Sequence, residues 1–257
     1  MRLGEFAEDR VRMLGDRVTA ALDSFSGPAG RDNAARCDVW LEDRPRALPP
    51  GSSILDAGAG TQLCRRFCGR LEYVYQDFCG YDGRGDGTAL QSGTWPCGTI
   101  TIVSDIAAIP RLDASFDVVM AIEVLEHLPD PLAALRELQR LLKPGGHLIL
   151  TAPFSSWTHQ SPFHFATGFI RYWYTRHLPA LGLRIEELVA NGNYFEFMSQ
   201  EIRRFESVAG QYASSRMSWP ERVAAAVVLR GLSRMGRQDE GSAELLRYGC
   251  QVHAVKT

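Results

Sequence analysis

Lysine is almost missing from this chain of 257 residues, whose basic side chains are nearly all arginine. Neither sign of charge dominates: 28 Lys+Arg stand against 30 Asp+Glu, for a formal net charge of −2. No global basic field therefore favours nucleic acid or an anionic membrane surface. No apolar run reaches membrane-spanning length. The opening stretch MRLGEFAEDRVRML carries acids and lacks a continuous apolar core, unlike a signal peptide. These absences set the expectation of a cytoplasmic protein. C-x-x-C pairs are missing as well. The six cysteines, Cys37, Cys64, Cys68, Cys79, Cys97 and Cys250, are expected to be reduced, buried thiols. Cys64 and Cys68, one helical turn apart, are expected to pack with Leu63, Phe67 and Leu71. The phosphate-loop signature G-x-x-x-x-G-K-[ST] is absent. So is the last glycine of G-x-G-x-x-G, where Leu63 stands instead.

Apolar residues make up 45% and charged residues 23%, the balance of an ordinary globular protein. The length suits one large domain. Residues 1–50 read as an N-terminal helical cap, with Phe6, Val11, Leu14, Val18 and Leu22 at helical spacing and a break at SGPAG. The main domain is expected over 51–257. In it, strands at 54–57, 73–76, 99–103, 116–121 and 147–151 alternate with helices. Thr61 is expected to cap a helix over 61–70. Asp130-Pro131 opens another helix, with Leu132, Leu135, Leu138 and Leu142 as its stripe. Lys143-Pro144-Gly145-Gly146 closes that helix in a tight turn. Residues 78–98 are glycine-rich and read as a loop, in which Tyr81, Asp82, Gln91 and Trp95 are candidates to line a site. A helix near 167–180, a strand near 183–189, a helical insertion at about 195–240 and a final strand follow. The alternation predicts an α/β fold: a Rossmann-like, doubly wound, mostly parallel sheet with helices on both faces.

The stretch ILDAGAGTQ (54–62) runs a strand into a glycine turn, which lets backbone approach a ligand closely. Asp77 ends the next strand about twenty residues on, where an acid can take two ribose hydroxyls. Asp105 follows the third strand. With SDIAAIP, FDVVMAIEVLEHLPDP and LLKPGGHLILTAP in order behind them, these motifs resemble those of class I S-adenosylmethionine-dependent methyltransferases, in particular the ubiquinone and small-molecule O-methyltransferase subgroup. The resemblance covers roughly residues 52–154. It implies a seven-stranded sheet with an antiparallel last strand. It also implies that Asp56, Ala57, Gly58 and Gly60 line the methionine moiety of S-adenosyl-L-methionine. Asp77 would hold the ribose beside Phe78, Asp105 and Ile106 would bracket the adenine, and Ile122 and Glu123 would lie near the sulfonium. The family often has glycine where this chain has Gln62, whose side-chain amide becomes a candidate cofactor contact.

Methyl transfer to a hydroxyl needs a base, or a metal that acidifies the hydroxyl. His127, His159 and His164 are the candidate catalytic residues, while His177 falls within a helix and reads as surface. Glu123, Glu126 and His127 have the E-x-x-E-H spacing seen in magnesium-dependent small-RNA 2′-O-methyltransferases, with His164 resembling their downstream ligand. A divalent metal is not the favoured reading, since the same motif recurs in metal-free relatives. The segment 154–174 holds eight aromatic residues and two histidines. Of these, Trp157, Phe163 and Phe165 are pocket candidates. The expected activity is methylation of a small-molecule acceptor, such as a sugar or natural-product hydroxyl, without membrane or nucleic-acid partners and with a homodimer contact as an option. An idle cofactor-binding partner subunit and a dinucleotide-dependent oxidoreductase are the alternatives.

Overall fold

The structure, a computed structural model, describes residues 17–257. The helical pattern at Phe6, Val11 and Leu14 lies outside them. Contacts group the described chain into two units. One joins the residues up to Asn33 with Gly192–Arg247, and the other joins Ala34–Asn191 with Tyr248–Thr257. This grouping differs from a cap over 1–50, because residues 34–50 pack with the sheet.

The sheet unit holds seven strands: β1 (Ser53–Ala57), β2 (Glu72–Asp77), β3 (Ile102–Val103), β4 (Phe116–Ile122), β5 (Leu142–Pro153), β6 (Leu183–Asn191) and β7 (Gly249–Lys256). Their order is β3-β2-β1-β4-β5-β7-β6. The first five pair in parallel, and β7 runs antiparallel to both β5 and β6. Helix α1 (Asn33–Arg46) sets Trp40 and Leu41 into an apolar cluster with Ile54, Val118, Met120 and Ile149. Cys64 and Cys68 belong to that cluster, with Phe67 and Leu71 beside them, whereas Leu63 is exposed. Helix α2 (Pro131–Leu141) starts as its sequence requires. Asp130 accepts the Leu132 and Ala133 N–H groups, and Pro131, which has no N–H to lose, takes the first position. Its stripe places Leu135 and Leu138 at full burial, each contributing roughly 1.5–3 kcal/mol. Helix α3 (Arg171–Ala180) seats Tyr174 and Leu178 in the same core.

Several local expectations change. Residues 61–70 form only a short 3-10 turn at Leu63–Phe67, entered through Gln62 in the left-handed region, with no cap from Thr61. The third strand shrinks to two residues. The segment Lys143–Gly146 lies within β5: pairing jumps from Phe116↔Leu142 to Val118↔His147, so the extra residues bulge from the ladder instead of ending the helix.

The second unit contains a helical stretch at 17–26, helix α4 (Tyr194–Tyr212) and helix α5 (Trp219–Gly236). Both α4 and α5 open with capping boxes, Asn193/Glu196 and Ser218/Glu221. The Arg203 guanidinium donates to the Gly27 and Ala29 carbonyls at 2.6 and 2.9 Å, fastening α4 to residues 27–30. No helix among the described residues is long and apolar enough to cross a membrane.

Candidate functional site

The site is built where β1, β2 and β4 end, the side of an open parallel sheet at which ligands bind. After β1 the chain turns through Gly58 (φ 74°) and Gly60 (φ 49°). The Gly58 and Ala59 N–H groups both donate to the Gln76 carbonyl at 2.9 Å, which draws the turn over β2. A Cβ on Gly58 would sit 2.7 Å from the Val124 side chain, and one on Gly60 would sit 2.7 Å from the Trp95 ring. Both positions therefore require glycine for space as well as for φ.

Asp77 organises the turn. It is 6% exposed and closes β2. Its Oδ2 accepts the Gly60 N–H at 2.9 Å and its Oδ1 accepts the Cys79 N–H at 2.7 Å. Phe78, beside it, is exposed and meets the edge of Phe163 at 5.0 Å between ring centres. Asp105 is exposed, with Oδ1 on the Ala107 N–H at 2.8 Å. Ile106 turns its side chain into the main core. Ala57 is fully buried in β1 and Ile122 packs against the Trp40 cluster.

Gln62 is not a free amide. Its Nε2 donates to the Thr99 carbonyl at 3.1 Å, and its backbone sits at φ 60°. A left-handed residue is what glycine supplies without cost. We expect Gln62→Gly to leave stability within about 1 kcal/mol of wild type, since relief of the left-handed backbone offsets the lost bond and the freer unfolded chain. Urea denaturation checks this, and a larger loss would mean that the Thr99 contact holds the loop.

Asp56 is buried under the turn and accepts the Tyr73 hydroxyl. Burial pushes its carboxyl up from 3.8 to about 7, against the Tyr73 hydrogen bond and with the nearby Asp77 charge adding to the rise. Between pH 4 and 7 the folded chain holds a proton there that the unfolded chain has released. Stability therefore falls as pH rises through that window, by up to ~4 kcal/mol at 1.36 kcal/mol per unit. Asp56→Asn should flatten this slope in denaturation series at pH 5 and pH 8; an unchanged slope would reject Asp56 as its source.

Beyond β4, Glu123 adopts φ 54°, its N–H held by the Thr151 carbonyl at 3.0 Å and the Thr151 hydroxyl at 3.2 Å. The residue is exposed at its edge, yet the protein packed around its carboxyl strips water from it and raises it above the usual carboxylate range. Glu126 is 1% exposed, and its Oε2 has no hydrogen-bond partner. Burial first, and the Glu123 charge second, push it well above the usual carboxylate range.

The structure brings the three candidate histidines together. Ring centres lie 4.7 Å apart for His127–His159, 4.8 Å for His159–His164 and 5.9 Å for His127–His164. Each is oriented by one bond. His127 Nδ1–H donates to the Phe163 carbonyl at 2.5 Å, and His159 Nδ1–H donates to the Trp157 carbonyl at 2.8 Å. The Ser156 hydroxyl donates to the Thr167 carbonyl and so accepts from His164 Nε2 at 3.1 Å. The lone pairs left over are Nε2 of His127 and His159 and Nδ1 of His164. Burial lowers His127 to about 4 and also lowers His164. Ligand atoms of Glu126, His127 and His159 lie within 4.8 Å of one another. His177 packs beside Trp173 on α3, outside this group.

Two contributions had only a faint sequence signal. The loop 78–98 is indeed without helix or strand, but it is fastened along 158–163: Leu90 N–H meets Thr158 O, Gln160 N–H meets Leu90 O, and Asp86 N–H meets Ser161 O. Tyr81, buried at 4%, contacts Trp95 and Phe163, and Gln91 binds the Tyr81 hydroxyl and Ser161 O. Asp82 instead accepts the Arg84 and Gly85 N–H groups within its own turn. Second, Cys79 and Cys97 are joined in a disulfide, which overturns the expectation of six reduced thiols. Cys37, Cys64, Cys68 and Cys250 are free. The sequence signal was that these two cysteines bracket the loop.

A glycine turn after β1, an acid closing β2 and a reversed β7 define a doubly wound fold that binds a nucleoside-bearing cofactor. The chain belongs to the family described as "Methyltransferase domain", which it matches over residues 30–207, and within the class I S-adenosylmethionine-dependent methyltransferases. Among curated relatives, the ubiquinone biosynthesis O-methyltransferase of Xanthomonas campestris pv. campestris (strain B100) is 36% identical over 109 residues, 41% of this chain and 45% of that protein. The chain spans less than half the length of the first curated relatives it matches. Two solved structures share the fold. The [4+2]-cyclase SpnF is 16% identical, with TM-score 0.51, over 90% of this chain and 84% of that one. A Haemonchus contortus phosphoethanolamine N-methyltransferase 2 in complex with S-adenosyl-L-methionine is 15% identical, with TM-score 0.50, over 86% and 52%. Family membership removes the dinucleotide oxidoreductase alternative.

The donor set fits the family's cofactor. Asp77 at the end of β2 carries the carboxylate acceptors that a ribose diol requires, with Asp56 two residues before Gly58 and buried under the glycine turn.

Proposed function

We propose that the protein transfers a methyl group from S-adenosyl-L-methionine to a hydroxyl of a small molecule. The observation that carries this reading is the group of three imidazoles, each held by one hydrogen bond and left with one lone pair. The ubiquinone O-methyltransferase relatives support oxygen as the accepting atom. When bound, the cofactor supplies a methyl group on a sulfonium, which leaves by in-line displacement. Asp77 would hold the ribose and Asp105 the adenine amine. Asp56, Ala57, Gly58 and Gly60 would line the methionine end, with Glu123 and Ile122 toward the sulfonium. His159 Nε2 takes the proton of the acceptor hydroxyl, since the ring is half-buried beside the other two imidazoles and its Nδ1–H is held by the Trp157 carbonyl. Trp157, Phe163 and Phe165 shape the acceptor pocket. Positioning supplies much of the acceleration.

The orphaned Glu126 oxygen favours a second reading, in which Glu126, His127 and His159 hold a divalent cation that acidifies the hydroxyl. Turnover on a panel of phenolic, sugar and catechol acceptors, with and without a chelator, tests both. Product formation that ignores the chelator ends the cation reading. Cofactor binding with no turnover on any acceptor would leave an idle binding subunit, a role for which the fold's use by a cyclase is a reminder that fold alone does not fix chemistry.

A further inference from the structure

The disulfide Cys79–Cys97 closes the loop that follows β2, 18 residues apart in sequence, directly beside the cofactor turn. We propose that this pair is a thiol–disulfide switch that sets the affinity for the cofactor; the proposal rests on the reading of Asp77 as the ribose-holding acid.

Four observations carry it. Cys79 is two residues past Asp77, and its N–H occupies Asp77 Oδ1 at 2.7 Å while Gly60 N–H occupies Oδ2. The backbone at Cys79 is left-handed, at φ 53°, a conformation that its surroundings must impose. The far side of the loop lies on the same turn: Trp95 stacks against Gly60, and Gln62 reaches the Thr99 carbonyl at 3.1 Å. The cross-link thus ties the loop's entry at Asp77 to its exit at Trp95–Thr99, and both ends touch the glycine turn. Between them the chain has no helix or strand, and away from the cross-link its two arms are joined by isolated backbone bonds such as Trp95 N–H to Asp82 O at 3.2 Å and Gly93 N–H to Gly83 O at 2.7 Å, not by a continuous ladder.

The chemistry is confined to this pair. Cys79 and Cys97 are both partly exposed, within reach of a reductant. Cys64, Cys68 and Cys250 are buried, and burial pushes the Cys37 and Cys68 thiols up to about 12, which leaves them poor nucleophiles for exchange. Disulfides are maintained in oxidising compartments, and in reducing ones they are commonly redox-sensing. In the reducing step, one thiolate of an external dithiol attacks a sulfur of the pair. The Cys79–Cys97 bond breaks and a mixed disulfide forms. The second thiol of the reductant then displaces it. Cys79 and Cys97 leave as two thiols, and the dithiol is oxidised by two electrons to its own disulfide.

The test uses the full chain, oxidised or reduced with excess dithiothreitol in the presence of a chelator. The chelator matters because Asp77 and the two thiols lie close enough to trap a metal ion. Calorimetry with S-adenosylhomocysteine should give about tenfold weaker binding for the reduced chain, as expected if the closed loop falls to a tenth of the population. Limited trypsin digestion should cut faster after the exposed Arg84 once the pair is reduced. The variant carrying Cys79→Ser and Cys97→Ser should match the reduced chain in both measurements, whatever the redox state. Equal affinity in both states, or a double variant that behaves like the oxidised chain, overturns the switch alone. No binding in either state overturns the cofactor reading and the switch together.

Discussion

Asp77→Ala should weaken S-adenosylhomocysteine binding by about 100-fold or more. The carboxylate would lose hydrogen bonds to two ribose hydroxyls, worth roughly 1.5–3 kcal/mol each to a charged group, and every 1.4 kcal/mol is tenfold in affinity. The loss reaches the turn as well, because Gly60 and Cys79 N–H groups lose their acceptor. Some stability therefore goes with it, on the order of 1–3 kcal/mol for each stranded donor. Asp77→Asn separates the two effects. The amide keeps one acceptor oxygen for the turn and surrenders the charge, so it strands one donor where alanine strands two, and its melting point should fall less than that of the alanine variant while affinity still falls. Calorimetry and a thermal melt on both variants decide the matter. An alanine variant that binds as wild type would sink the ribose assignment.

His159→Ala should lower kcat by about 10²–10⁴, the range of a positioned general base, and leave cofactor affinity unchanged. His159 is half-buried, and among the described residues its ring hydrogen-bonds the Trp157 carbonyl two residues away and otherwise touches the His127 and His164 rings, so removal disturbs little of the fold. His127 makes a useful contrast. Its Nδ1–H fixes the Phe163 carbonyl across to β4's exit, and its ring is more deeply enclosed. His127→Ala should therefore lower the melting temperature together with the rate. If His159→Ala retains full turnover while His127→Ala or His164→Ala does not, the base has been misassigned within the cluster.

Much of this was legible in the linear sequence, for physical reasons. The apolar run that follows Asp117, within the strand expected over 116–121, reads as a strand buried on both faces, and it became one, with Val118, Val119 and Ala121 fully buried. Asp130-Pro131 carries its own instructions, since a side-chain cap and a residue lacking N–H are both local effects. The same holds for Gly58 and Gly60, whose positive φ values need only the residue type. Local signals failed where tertiary pairing outweighed them. Lys143–Gly146 has the composition of a turn, yet the neighbouring β4 holds it in a bulged strand. Thr61 has the chemistry of a cap, but the chain enters the 3-10 turn one residue later through a left-handed Gln62.

By itself, then, the sequence determined the alternation of strands and helices, the glycine turn and the acids that close β1 and β2, because periodicity, turn chemistry and strand ends are read over a few neighbouring residues. Only the tertiary structure decided which distant residues share a site. It gathered His127, His159 and His164 from two segments, laid the 78–98 loop along 158–163, set Trp95 on Gly60 and joined Cys79 to Cys97. Those contacts depend on how separate segments pack and on loop closure, and neither has a local period in the chain.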